Sequence, residues 1–278
     1  LLLLLLARTT TAFRRTPRQV LSSPEQLLHQ EQQQRHRRRR QLKHEPVHVP
    51  VPTDPVDHLV KDLPLLDDDP NEPLTHWAGH LPVLEGDKYL FYWLFAPPST
   101  HTVNDDEIPL IIWLNGGPAC SSMDGLFLEN GPMQWYVSDK DDGMYRLQYN
   151  PYSWHTAPAY TLYVDQPVGT GLSFTTSGTY PNNDQAVNVD FYAFLQQFFQ
   201  LHADKFVRDG RRVHRKVYFS GESHAGHYIP SMMNYILQQN DKINDSNDDN
   251  KNIIIPLAGA AIGNGWVDPY HQYAAAAA

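Results

Sequence analysis

A single cysteine, Cys120, occurs in the 278 residues. No disulfide can close within the chain, and no cysteine cluster can hold a metal. An odd cysteine in a secretory protein points to a partner elsewhere, whereas a buried, inert thiol describes the chain taken by itself. His224 and His227 have no carboxylate or third ligand at a spacing that would complete a metal site, so neither metal nor cofactor is expected. No apolar run approaches the length needed to cross a bilayer, and no stable membrane span is expected.

Basic charge thins out along the chain. Ten of the twenty-two Lys and Arg fall in residues 1–43, beside only Glu25 and Glu31, which leaves the remainder at a formal charge of −17. The run Arg35-His36-Arg37-Arg38-Arg39-Arg40 could contact nucleic acid. It sits in a Gln-rich leader without interleaved aromatics, however, and a solvated propeptide or processing site accounts for it better. No nucleic-acid partner is expected.

Leu1 to Leu6, followed by Ala7-Arg8-Thr9-Thr10-Thr11-Ala12, resembles the end of a signal-peptide apolar region with a small-residue cleavage zone; a leucine run without meaning is the alternative. No initiator Met is present, and truncation at both ends is expected. Residues 1–47 read as this signal remnant and basic leader, 48–75 as a Pro/Asp-rich linker, and 76–278 as one large domain. Asn244-Asp245-Ser246 is a glycosylation sequon in the polar stretch Asp241 to Asn252, read as an exposed loop. Leader and sequon together point to the secretory route, ending in a vacuole or lysosome or outside the cell.

The chemistry is concentrated in two glycine-flanked turns. Lys216-Val217-Tyr218-Phe219-Ser220 reads as a strand and residues from about Gly226 to Gln239 as a helix, with Gly221-Glu222-Ser223-His224-Ala225-Gly226 between them. A serine in such a sharp strand-to-helix turn has its hydroxyl exposed for nucleophilic attack, and small neighbours are needed because the two backbones come close. Ala225 stands where a second glycine would complete G-x-S-x-G, and ordinary turn chemistry is the competing reading. Ile108-Pro109-Leu110-Ile111-Ile112-Trp113-Leu114 reads as a buried strand breaking into Asn115-Gly116-Gly117-Pro118. A nucleophile elbow needs a second turn of this type to supply one of its two oxyanion N–H donors. The donors would be the backbones of Gly117 and His224; a plain tight turn is the alternative for Gly116-Gly117.

Four segments carry a resemblance to a known family: Trp113 to Ser122, Val164 to Phe174, Gly221 to Pro230 and Ile262 to Pro269. In order and spacing they resemble the serine carboxypeptidase family, and Ser121 to Gly125 with Gly265 to Pro269 lean toward the branch that includes the fungal pheromone-processing carboxypeptidase. Three positions depart from the pattern: Ala119 for Gly, Leu172 for Phe, and His224 for the Tyr that usually follows the nucleophile. The first two read as small packing changes, and the third bears on specificity.

The resemblance implies an α/β-hydrolase fold with a mixed central sheet, and a serine-type carboxypeptidase acting on peptide and protein C-termini through Ser223, best at acid pH. It implies that Trp113, Asn115, Glu129 and Glu222 bind the substrate carboxylate, with at least one of the two acids protonated. Without it, Glu129 reads as a surface charge and Glu222 as a turn residue. It places Asp124 in the pocket for the departing side chain, against the rival reading of a helix cap, and Asp165 as a buried structural acid. It implies a partner for Cys120 beyond Ala278, and a base and orienting acid there too, so the chain is expected to be an incomplete copy of the enzyme. Acyl transfer or ester hydrolysis, and a noncatalytic binding role, remain alternatives.

Strands near 89–95, 108–114, 160–165, 216–220 and 257–262 are predicted to form the sheet, with helices near 186–206 and 226–239 covering it. Phe191, Phe194, Leu195 and Phe198 should be the buried stripe of the first helix.

Overall fold

Alternation along the apolar strands sends successive side chains to opposite faces, so a sheet built from them must be covered on both. The computed structural model describes residues 50–64, 66, 74–84, 86–137, 145–245 and 252–276, within one compact unit. Its strands are β1 (His76–Val83), β2 (Lys88–Phe95), β3 (Leu110–Leu114), β4 (Met133–Val137), β5 (Tyr145–Tyr149), β6 (Tyr160–Asp165), β7 (Phe174–Thr175), β8 (Val207–Arg208), β9 (Arg212–Val213), β10 (Val217–Glu222) and β11 (Leu257–Gly263). The helices are α1 (Ser122–Asp124), continued by a π-turn over Gly125–Glu129, then α2 (Asp184–Leu201), α3 (Ala203–Phe206), α4 (Ala225–Asp245) and α5 (Pro269–Ala276).

The main sheet runs β1-β2-β6-β3-β10-β11, with β7 added beside β2. β1, β2 and β6 pair antiparallel; β6, β3, β10 and β11 pair parallel. Parallel pairing gathers the C-terminal ends of four strands at one edge, where open α/β sheets bind ligands.

Phe191, Phe194, Leu195 and Phe198 of α2 are all 0–1% exposed and pack with Tyr228, Ile229, Met232 and Ile236 of α4 against one sheet face. Phe91, Trp93, Phe95, Trp113 and Tyr163 form a smaller core on the other face, closed by Leu126 and Met133. Beyond it, over β10 and β11, that face carries a groove of about 730 Å³ lined by Ile111, Trp154, Tyr218, Ser220, Gly259 and Ala261.

The five predicted strands are present to within two residues, but the structure departs from the sequence expectation elsewhere. The helix predicted over 186–206 is interrupted at His202 (φ −100°, ψ 34°), whose imidazole is fully buried. Apolar spacing continues across that break and hides it. The second helix extends to Asp245, so Asn244 lies exposed in its last turn and not in a loop; Ser246 of the sequon lies outside the described residues. β1 and the β4–β5 hairpin had no counterpart in the predicted strands. The basic leader, residues 1–47, also lies outside the described residues.

Replacing Phe198, 0% exposed, by Ala should lower the unfolding free energy by about 3–5 kcal/mol in a denaturant titration. Leu128→Ala, at a residue 65% exposed, should leave it within about 0.5 kcal/mol.

Candidate active site

Register decides which side chains can meet. Leu114 of β3 lies opposite Gly221 of β10, and Ser220 opposite Trp113. Alternation then puts Trp113, Asn115 and Glu222 on the face of the smaller core, at the gathered strand ends. The π-turn brings Glu129 back over them. Asn115 is the hub: its amide nitrogen donates to Glu222 Oε1 at 3.3 Å and Glu129 Oε1 at 3.4 Å. Its Oδ1 accepts from Trp113 Nε1 at 2.6 Å and from the Gly125 N–H at 3.1 Å, which fixes the orientation of the amide. Any Cβ on Gly125 would overlap the Trp113 indole nitrogen. Burial, and then the neighbouring Glu222 carboxylate, raises the Glu129 pKa; the Asn115 hydrogen bond opposes them.

One residue beyond Glu222 the chain turns. Ser223 is exposed and sits at φ 55°, in the left-handed region that costs a non-glycine residue strain, as a nucleophile elbow requires. The turn is held by Ser223 N donating to the Gly263 carbonyl at 2.9 Å, and by Gly226 N and Trp266 N donating to the Ser223 carbonyl at 3.0 and 2.8 Å. Gly116 presses on the elbow: a Cβ there would lie 2.6 Å from His224 N and 2.9 Å from Ser223 Cβ. Gly226, one place later than G-x-S-x-G puts its glycine, is where the loop Gly265-Trp266 crosses, with Trp266 N 2.7 Å from a hypothetical Cβ. The buried Ala225 is accommodated because Gly221, facing it, lacks a side chain. Neither the Gly117 nor the His224 N–H is donated to a backbone carbonyl among the described residues.

His227 Nε2 lies 2.8 Å from Asp184, and the His224 ring packs on Tyr228 and Trp266, so neither imidazole hydrogen-bonds the Ser223 hydroxyl. Burial, and then His227, lowers the His224 pKa. Asp268 holds the start of α5, accepting from His271 N at 3.2 Å and pairing with His271 Nδ1 at 2.5 Å, a surface arrangement that periodicity in the sequence did not signal. Asp165 is fully buried and accepts from Ser121 Oγ, Ser122 N and Leu172 N at 2.7–2.9 Å, a structural knot that ties the turn after β6 to the start of α1.

Three readings are corrected here. Asp124 does not cap a helix: the capping oxygen is Ser121 Oγ, which accepts from Met123 N, while Asp124 is exposed and makes no capping bond. Cys120 is an exposed thiol, so the buried, inert reading fails. Ala119 is also more than a packing change, since it stands at φ 65°, where glycine is free of strain.

The sequence pattern of the serine carboxypeptidase family matches residues 64–278. The chain belongs to the serine carboxypeptidase family. A family member from Dictyostelium discoideum is 42% identical over 219 residues, which cover 78% of this chain and 36% of that protein. A pheromone-processing carboxypeptidase from Phytophthora infestans is 42% identical over 221 residues, covering 78% of this chain and 34% of that one. The crystal structure of a prohormone-processing carboxypeptidase from Saccharomyces cerevisiae superposes with a TM-score of 0.62 at 31% identity, covering 82% of this chain and 48% of that chain. The fold is therefore the α/β-hydrolase fold, and the chain spans about a third of the length of these curated relatives.

Ala119→Gly should raise the unfolding free energy by about 1 kcal/mol, because it removes left-handed strain at an exposed position; the denaturant midpoint checks it.

Proposed function

We propose that the protein containing this chain is a serine-type carboxypeptidase that removes C-terminal residues from peptides and proteins. The observation that carries the reading is the junction of a strained, exposed Ser223 with the Asn115–Glu129–Glu222 cluster one residue away. A peptide whose carboxylate accepts hydrogen bonds from that cluster would have its last peptide bond beside the serine hydroxyl. Ser223 Oγ attacks the carbonyl carbon and loses its proton to a general base, and the tetrahedral oxyanion is held by the Gly117 and His224 N–H groups. Collapse breaks the C–N bond, and the departing amine takes up the proton. Water then hydrolyses the acyl-enzyme ester. The general base and its orienting acid are assigned to the length of the relatives that this chain does not span. A secretory destination, with Asn244 glycosylated, belongs to the same reading.

A substrate carboxylate cannot sit beside two ionised glutamates; one must carry a proton and donate it. Glu129, with its raised pKa, is the natural holder. The sign is definite: the proton is present at mildly acid pH and is lost as pH climbs through the raised value, so kcat/KM should fall toward neutrality.

In the full-length protein, Ser223→Ala should abolish release of C-terminal residues and labelling by a fluorophosphonate, whereas purified residues 1–278 should show no turnover. Robust hydrolysis by residues 1–278 would contradict the assignment of the base. Glu129→Gln places a donor that does not titrate, so the fall in kcat/KM between about pH 5 and about pH 7 should flatten; an unchanged profile would sink the shared-proton model. Asp124 is assigned to the pocket for the departing side chain, where it would favour Lys or Arg by about 1.5–3 kcal/mol if desolvated. Asp124→Asn should then slow Lys- and Arg-ending peptides and spare Leu-ending ones; equal rates on all three would end that assignment.

A further inference from the structure

Outside its leader the chain is strongly acidic, yet a hollow at the start of β10 is lined mainly by cations. β8 and β9 are joined through Asp209-Gly210, both at positive φ (55° and 66°), the backbone that a tight hairpin turn demands. Between that hairpin and the start of β10, Arg208, Arg211, Arg212, His214, Arg215 and Lys216 line a hollow of about 280 Å³. Among the described residues that line it, Asp209 is the one acid.

The fold gains nothing from this arrangement. The register places Arg208 directly opposite Arg212, and like charges so placed oppose strand pairing. Two of the cations are occupied. Arg215, 2% exposed, donates from Nε to the Lys205 carbonyl at 2.7 Å and from Nη1 to the Ile108 carbonyl at 3.1 Å, and pairs through Nη2 with Asp105 at 2.7 Å. Arg208 pairs with Asp106. Arg212 and Lys216 are exposed and pair with no carboxylate among the described residues, so two positive charges at the hollow stand uncompensated. His214 feels the local field: after burial, the Arg215 and Arg208 charges lower its pKa.

A phosphate monoester carries nearly two negative charges at neutral pH, which matches that excess, and its terminal oxygens accept from the planar fork of a guanidinium. A single carboxylate would cancel only half of it. The surroundings select the source. Asp105, Asp106 and Asp209 are exposed beside the cations, so an extended anionic surface such as a membrane is repelled where one compact group is accepted.

We propose that the hollow between the β8–β9 hairpin and the start of β10 binds the phosphate group of a small soluble molecule, inorganic phosphate or a sugar phosphate, with Arg212 and Lys216 as its principal ligands. β10 runs from Val217 to Glu222, so the hollow lies at the opposite end of that strand from Ser223, roughly 20 Å away. Phosphate and peptide can therefore be held at once. The site does not depend on the catalytic reading.

Calorimetric titration of the full-length protein at neutral pH in a chloride buffer, with inorganic phosphate and with glucose 6-phosphate, tests it. Saturable binding of at least one is expected, weakened at least about tenfold when Arg212→Gln and Lys216→Gln are combined. The melting temperature of that double variant should match the wild type, because neither side chain has a carboxylate partner to lose. Absence of binding by the wild type at millimolar phosphate overturns the site, an outcome that depends on no variant. Binding that survives unchanged in the double variant places the anion on another basic segment, such as Arg35 to Arg40, and overturns it equally. Vesicles of phosphatidylcholine with phosphatidic acid separate the sources: retention that the double variant loses, with neither soluble phosphate bound, would assign the hollow to a membrane and end the proposal.

Discussion

Parallel pairing of β3 with β10, Leu114 opposite Gly221, leaves no space for side chains where the two strands end. Everything at the site follows from that closeness. Gly221 must be bare because its Cβ would overlap the Leu114 carbonyl, and Gly116 must be bare because the elbow occupies its Cβ position. With these atoms removed, the backbone of the Gly116-Gly117 turn can lie against the backbone of Ser223-His224. The same register carries Asn115 alongside Glu222, so the two halves of the site share one cause. A substitution that widened the β3–β10 seam would disturb nucleophile and carboxyl cluster together.

Acidic groups crowd these strand ends, and the structure handles each differently. Asp165 is removed from water and compensated by three donors, with Gly171 leaving the space that its carboxylate needs. Glu129 and Glu222 share the single amide of Asn115, an incomplete compensation that leaves Glu129 inclined to hold a proton. Asp124 stays in solvent. Buried and satisfied, half-satisfied, and solvated carboxylates thus meet at the same strand ends from four separate elements, and the half-satisfied pair retains unspent hydrogen-bonding capacity.

The central strands were legible because each is an apolar run ended by a glycine or proline turn, and the aromatic stripe of α2 because its spacing is helical. Ser223 could be singled out from strand, turn and helix alone. The partners of Asn115 could not: Glu129 and Glu222 are 93 residues apart in the chain, and register plus a π-turn brings them together, neither of which leaves a local pattern. Resemblance to the family supplied that grouping. Ahead of β1, in the stretch read from Pro and Asp as linker, Leu59 bridges Trp77 and His58 lies over Gly79, contacts that composition does not signal. The break at His202 was invisible for a related reason, since a buried polar residue in an aromatic helix disturbs no apolar period.

Among the described residues β11 pairs with β10, and its residues Ala258, Ala260, Ala261 and Gly263 are exposed. Small residues along that strand leave its backbone open to close approach by another backbone. The groove over Tyr218 and Ala261 lies beside the same strand, so those small residues form one of its walls.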